Sequence, residues 1–324
     1  MPAAYAHLTL VNHLKSDEYV KGETFTDALT TAIRNYGHFI DLGAVSPDYP
    51  YLALLTTGKQ SEWAERMHLD ERNGDFFRFM LDDVAAMEGE ERDLSLAWCL
   101  GFVSHAVMDM TIHPVIELKV GPYEDNAEDH RKCEMYQDVH IFRRLRTKKD
   151  FDASEYFDQG VGQCSHDEDE KRIHPLIDDL WSRALTRAFP EIEEENGAPN
   201  IDAWHSQFGT LVGSIATEGN AWGMIPFARH VGKEKGLVYC TEEELERDGQ
   251  EFIKGLKTPE DTMDYDQLFD KAVGNVADAW KRISCHVFDG DQDATELFGP
   301  WHLDTGKDLK TGGFVYWNGS QGRD

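Results

Sequence analysis

The stretch Leu94–His113, LSLAWCLGFVSHAVMDMTIH, followed by Pro114, decides how this chain is read. Its first half repeats apolar residues (Leu96, Ala97, Trp98, Leu100, Phe102, Val103) at helical steps, which predicts a central, buried helix. Pro114 reads as its natural stop. Within it stands His105-x3-Asp109-x3-His113. Four residues of α-helix return with a drift of only about 40°. The three side chains therefore share one stripe, with neighbouring Cβ atoms roughly 5–6 Å apart. A buried Asp between two His is costly unless its charge is met. Imidazole and carboxylate in this register suit a zinc ion, which would meet it.

Working outward, His130-x3-Glu134 repeats that arrangement on a second predicted helix. Three further candidates are isolated. His7 lies in AYAHLTLV, Asp48 in the proline-stiffened turn LGAVSPDYP, and His68 at the end of SEWAERMH. The bland alternatives are a satisfied core histidine for His7 or His68 and a turn-stabilising role for Asp48. His13, His166, His174, His205, His230, His286 and His302 follow no ligand spacing and are read as structural. The aromatic residues, eight Trp among them, are read as core.

Helical periodicity recurs over Phe25–Tyr36, Asp75–Met87, Ala127–Leu145, Leu176–Phe189, Ile201–Ala216 and Tyr265–Phe288. The expected fold class is all-α, a multi-helix bundle with a polar site at its centre. Thr241 with Glu244 makes a capping box, and Asp93 is placed to cap the helix starting at Leu94. Gly313–Trp317 is the best strand candidate. Residues 2–233 are expected to form the catalytic domain, with 234–324 a helical extension packed upon it and Glu191–Asn200 the weakest seam. The net charge of −29 over 324 residues argues against a nucleic-acid polymer as partner. Five scattered cysteines show no disulfide or sulfur-zinc pattern. No basic region precedes an apolar core at the N-terminus, and Leu96–Val107 is too short to span a bilayer, so stable membrane insertion is not expected and a cytoplasmic location is.

The order of these elements resembles the zinc-dependent phospholipase C family: an early His, LGxxxPDY, a lone His, HxxxD with HP, then HxxxE. The likeness covers roughly residues 2–140. It implies one zinc on Asp48, His68, His105 and Asp109, and a second on His113, His130 and Glu134. It further implies that Asp109 bridges towards a third zinc bound by His7 and the N-terminal amine. Pro2 lies only five residues before His7, so two or three ions are expected. Tyr49 matches an aromatic position lining the substrate headgroup pocket. A counterpart of the calcium-dependent β-sandwich found at the C-terminus of toxin members is not expected, since Tyr265–Phe288 reads as helix.

The resemblance implies phosphodiester hydrolysis by a metal-bound hydroxide, with Asp48 as the carboxylate that orients or deprotonates the water. The substrate is a small-molecule or lipid phosphoester. His38, Asp41 and Asp138 are candidates to support the ligands. Arg143–Arg146 balances the acidic surface or guides a phosphate, and Gly219–Gly223 is a candidate loop over the pocket. Two other readings stand beside this one. One is a cytoplasmic enzyme acting on a soluble phosphoester or specialised metabolite, the other a non-catalytic, metal-stabilised helical binding protein.

Overall fold

The computed structural model describes residues 4–23, 25–52, 59–145, 160–217, 240–291 and 297–317. The fold is all-α. Helices α1 (Ala4–Leu14) and α2 (Asp17–Gly22) lead into α3 (Asp27–Val45). The Thr26 side chain caps α3 by accepting from the Leu29 amide. This helix continues beyond its predicted end at Tyr36, where it bends. A tight turn, Ser46–Asp48, leads to α4 (Tyr49–Leu52), and α5 (Ser61–Leu69) and α6 (Asn73–Ala85) follow. Next come α7 (Gly89–Val120), α8 (Tyr123–Leu145), α9 (Pro175–Ala188), α10 (Pro190–Asn196) and α11 (Ile201–Thr217). The last helices are α12 (Glu242–Asp248), opened by the expected Thr241–Glu244 capping box, and α13 (Tyr265–Asp289). Among the described residues the sheets are three small two-stranded hairpins, the last pairing Trp301–His302 with Lys307–Asp308.

Four local expectations are corrected. Pro114 does not stop the central helix, which continues to Val120 and ends at Gly121. The same helix begins at Gly89, a turn ahead of Asp93, with Glu90 and Glu91 placed favourably in its first turn. Gly313–Trp317 forms only a single bridge, from Phe314 to Lys307, and otherwise turns. The helix α7, at 32 residues, is long and apolar enough to cross a bilayer, so the expectation from its length also changes. Its apolar window is wholly buried inside the protein, as suits the core helix of a bundle.

The crossing of α3 over α7 fixes the centre of the molecule. Gly43 and Gly101 face each other there with no side chain between the backbones. A Cβ on Gly43 would collide with the Trp98 carbonyl, and one on Gly101 with the Ile40 carbonyl. This approach lets His105 of α7 reach the Ala44 carbonyl, with Nδ1–H donating over 2.9 Å. It also lays the Ser46–Asp48 turn beside α7. Trp98 Nε1–H donates to Ser46 Oγ over 3.0 Å and pins that turn. On another side of α7 lies α13, whose Trp280 Nε1–H donates to Ser104 Oγ over 2.9 Å. Trp63, Trp98, Trp181, Trp204, Trp280, Trp301 and Trp317 are all fully buried, the core role expected of them.

Gly101→Ala is expected to destabilise the protein at or above the roughly 1–3 kcal/mol typical of overpacking, because backbone rather than a flexible side chain must yield. Gly274, exposed in α13 with nothing within 4 Å of a Cβ, is the control. Gly274→Ala should stabilise by up to about 1 kcal/mol through helix propensity. Urea midpoints of the two variants should move in opposite directions, and equal shifts would contradict the crossing described.

Candidate metal centre

The stripe on α7 is deeply buried: His105 is 0 %, Asp109 1 % and His113 5 % exposed. Around it converge His7 from α1, Asp48 from the turn after α3, His68 from the last turn of α5, and Glu134 from α8, all buried. Seven of the eight expected ligands form one connected string. His68 Nε2 lies 3.5 Å from Asp48 Oδ1, which is 3.8 Å from His105 Nε2. His105 Nε2 is 3.2 Å from Asp109 Oδ2, and His7 Nε2 is 3.3 Å from Asp109 Oδ1. From Asp109 Oδ1 it is 3.7 Å to His113 Nε2, and from there 3.7 Å to Glu134 Oε1. The His7 and His105 rings stack at 4.0 Å.

Two sets of three have ligand atoms mutually within 4.8 Å: Asp48, His68 and His105, and His7, His105 and Asp109. The first lies within the grouping that the family resemblance implies, and the second ties His7 to Asp109. The eighth residue, His130, is also buried, one helical turn from Glu134, but belongs to neither set. Its Nε2–H donates to the Gly121 carbonyl over 2.6 Å, and Tyr123 meets its ring edge-on at 5.3 Å. That bond leaves Nδ1 as the free nitrogen of His130.

Three of the five histidines share one rule of orientation. In His68, His105 and His113 the Nδ1–H donates to a backbone carbonyl, of Ala64 (2.7 Å), Ala44 (2.9 Å) and Leu303 (2.9 Å) respectively. Each Nε2 then points inward, the arrangement in which metal-bound histidines are held; on His105 that nitrogen keeps its proton in the metal-free centre, and a cation would displace it. The inward atoms have no hydrogen-bond partner: both His7 nitrogens, Asp48 Oδ1, His68 Nε2, His105 Nε2, Asp109 Oδ2, His113 Nε2 and Glu134 Oε2. Buried polar atoms are ordinarily paired, so a cluster of orphans aimed at one place is an arrangement that a cation would satisfy. No Lys or Arg pairs with Asp48, Asp109 or Glu134 among the described residues; their partners are histidines alone. The donor set, all nitrogen and oxygen, fits zinc.

Electrostatics agree. Burial alone would raise the Asp48 and Asp109 carboxyls, but the imidazoles around them outweigh it, and both are held below the ordinary carboxylate range. Burial would lower His105, but Asp109 and Asp48 outweigh it and push it up to about 9. Burial lowers His7, with His105 adding to the effect, and burial lowers His130 too. Glu134 is pushed up to about 8, chiefly by burial. Without a cation, then, the centre keeps charge down by sharing protons.

Among the other candidates, Asp138 Oδ1 accepts from the Ala6 amide (3.0 Å), tying the start of α1, and with it His7, to α8. Asp41 receives Asn12 Nδ2–H (2.9 Å) and the Lys15 ammonium (2.5 Å), which docks α1 on α3. Arg143 and Arg144 are engaged by Glu242, Asp266 and Asp270, in line with a charge-balancing role. Tyr49 is fully buried, its hydroxyl 3.3 Å from His205 Nδ1 and its ring stacked on Phe208. His205 in turn meets Ser165 Oγ at 3.0 Å, and burial pushes it down to about 4, so it is a neutral bridging group. Met1, Pro2, Arg146, Gly219–Gly223 and His230 lie outside the described residues.

Three residues at the centre were not anticipated. Tyr51, partly exposed, sets its ring 5.4 Å from that of His68. Leu303 supplies the carbonyl that orients His113, and Asp304 Oδ1 lies 3.9 Å from the same His113 nitrogen. Tyr51 stands three residues beyond Asp48 in an aromatic-rich run, a signal that was present; a backbone carbonyl from the far end of the chain leaves none.

The helical bundle closes around a buried His/Asp/Glu cluster, a grouping that could hold a metal ion. Residues 6–191, more than half of the chain, match the family described as zinc dependent phospholipase C, and the protein belongs to that family. Comparison with curated proteins gave no match, and comparison with solved structures gave none.

The raised Glu134 has a consequence for pH. Its folded-state pKa of about 8 stands above the ordinary 4.5, so the stability it contributes in metal-free protein is present below about 4.5 and lost as pH rises towards 8. Melting of chelator-treated Glu134→Gln should therefore exceed wild type increasingly between pH 5 and 8, by the argument that a neutral side chain carries no such loss. Parallel melting curves for the two proteins across that range would count against this account of the centre.

Proposed function

We propose that the protein is a zinc-dependent phosphodiesterase of phospholipase C type, acting on a lipid or soluble phosphodiester. The observation that carries this reading is the string of seven buried ligand side chains whose inward atoms lack any partner. Asp48, His68 and His105 would hold one ion, and His113, Glu134 and His130 through its free Nδ1 a second. Asp109 stands between, with His7 beside it as the protein's contribution to a third. When bound, zinc supplies Lewis acidity towards phosphoryl oxygens and lowers the pKa of coordinated water towards about 7.

The chain's own residues then act as follows. Asp48, kept ionised at neutral pH by His105 and His68 against the effect of burial, is the acceptor for the proton of the attacking water. Asp109 stays ionised among three histidines and holds their rings in place. Tyr51, whose phenol burial keeps protonated, is a hydrogen-bond donor beside His68 for a phosphoryl oxygen. Tyr51 and Asp304 are the partly exposed groups at the centre, and they favour a site open to substrate over a closed structural one.

Turnover of a panel of phosphodiesters, lipid and soluble, tests the proposal. Chelation should abolish it and added zinc restore it. Asp48→Asn should lower kcat by about 10²–10⁴, the range for loss of a positioned base. Full activity after exhaustive chelation, or in Asp48→Asn, would refute the assignment.

A further inference from the structure

The segment from Trp301 to Trp317 lies beyond the residues shared with the family, yet it touches the centre directly. The Leu303 amide donates to the backbone carbonyl of His68 over 2.9 Å. The Leu303 carbonyl accepts from His113 Nδ1–H, also over 2.9 Å. A single residue of the tail thus joins two histidines carried by different helices, α5 and α7. The contrast with the other rings is informative. His68, His105 and His130 take their orienting carbonyls from Ala64, Ala44 and Gly121, all within residues 6–191. His113 alone among these four takes its own from outside that region.

The tail is firmly seated where it does this. Asn73 of α6 bonds both backbone groups of Trp301: its Nδ2–H donates to the carbonyl (2.5 Å) and its Oδ1 accepts from the amide (3.0 Å). Trp317 Nε1–H donates to the Thr111 carbonyl of α7 over 2.9 Å. Between these anchors Gly306, at φ +66°, presses its backbone onto the proline turn of α7. A Cβ there would collide with the Pro114 ring and stand 2.6 Å from the Met110 carbonyl. Met110 is four residues before Pro114, so its carbonyl is the one left without a helical donor by the proline. The only side chain that fits against this gap is none at all.

We infer that the tail turn Leu303–Gly306 is a working part of the metal centre, with Leu303 the positioning residue that sets the tautomer and direction of His113. This rests on the zinc reading above and adds to it. The ion held by His113 and Glu134 depends on the tail, whereas the ion held by Asp48, His68 and His105 is oriented mainly from within residues 6–191. Displacing the turn should therefore cost one ion selectively.

Zinc retained by the full-length protein against a graded chelator, measured by metal analysis, separates the possibilities. Wild type should retain at least two equivalents. Gly306→Ala, which lifts the turn from Pro114, should bind one of them about 10–100-fold more weakly, the usual cost of losing a group that orients a ligand. Its helical circular dichroism should be preserved. Asn73→Ala, which frees Trp301 without touching α7, should show the same selective loss and serves if Gly306→Ala does not fold. Variants that melt earlier when metal-free yet hold every equivalent as tightly as wild type would overturn the inference and leave the tail a packing element. A wild type that bound no zinc would instead overturn the metal reading itself, and the inference with it.

Discussion

Three carboxylates buried among histidines, with no Lys or Arg paired to them among the described residues, set the terms for this fold. Removing an ionised carboxylate from water is expensive unless charge and hydrogen bonds replace what water gave. Here the imidazoles replace it only in part. Asp48 and Asp109 stay ionised because His105 is held protonated, while Glu134, with less imidazole around it, keeps its proton. The rest of the structure holds this arrangement in place, and on the reading proposed above a divalent cation would complete it. Ala44, Ala64 and Leu303 carbonyls fix the rings, and Asp138 and Asp41 dock the helix that brings His7.

The scaffold that makes such convergence possible is the glycine-to-glycine crossing of α3 and α7. Bringing the two backbones together at Gly43 and Gly101 puts the last turn of α3 within hydrogen-bond reach of His105, and the Asp48 turn follows directly from it. Packing and chemistry are thus one feature: this close backbone approach lies a single turn from the His105–His113 stripe on α7. The acidic stretches Glu88–Asp93, Asp167–Glu170, Glu191–Glu195 and Glu242–Asp248 play no part in this. They are largely exposed, and Arg72, Arg92, Arg143 and Arg247 pair with Glu191, Asp93, Glu242 and Asp248 within them.

Much of this could be read from sequence, and the reasons differ by residue. The stripe His105, Asp109, His113 followed from helical period alone, because side chains four apart must share a face. His130 and Glu134 obeyed the same rule. His7, Asp48 and His68 were legible only through the order of motifs, since nothing local marks an isolated side chain as convergent. Pro114 misled because the rule for a proline describes a helix by itself. Here Gly306 and Trp317 pack around the interrupted turn, and α7 runs on to Gly121. Leu303 and Asp304 were invisible for a deeper reason. Their contribution is a backbone carbonyl and a long-range placement, and neither leaves a trace in residue type or spacing. Tyr51 was overshadowed by its neighbour Tyr49, which turned out to be enclosed against His205 and Phe208.

Anomalous diffraction at the zinc absorption edge, from crystals grown with zinc, addresses the central claim most directly. The account predicts one strong peak among Asp48, His68 and His105, and another beside His113 and Glu134, with Asp109 between them. Zinc found only on exposed acidic surface residues, or none among these side chains, would contradict it.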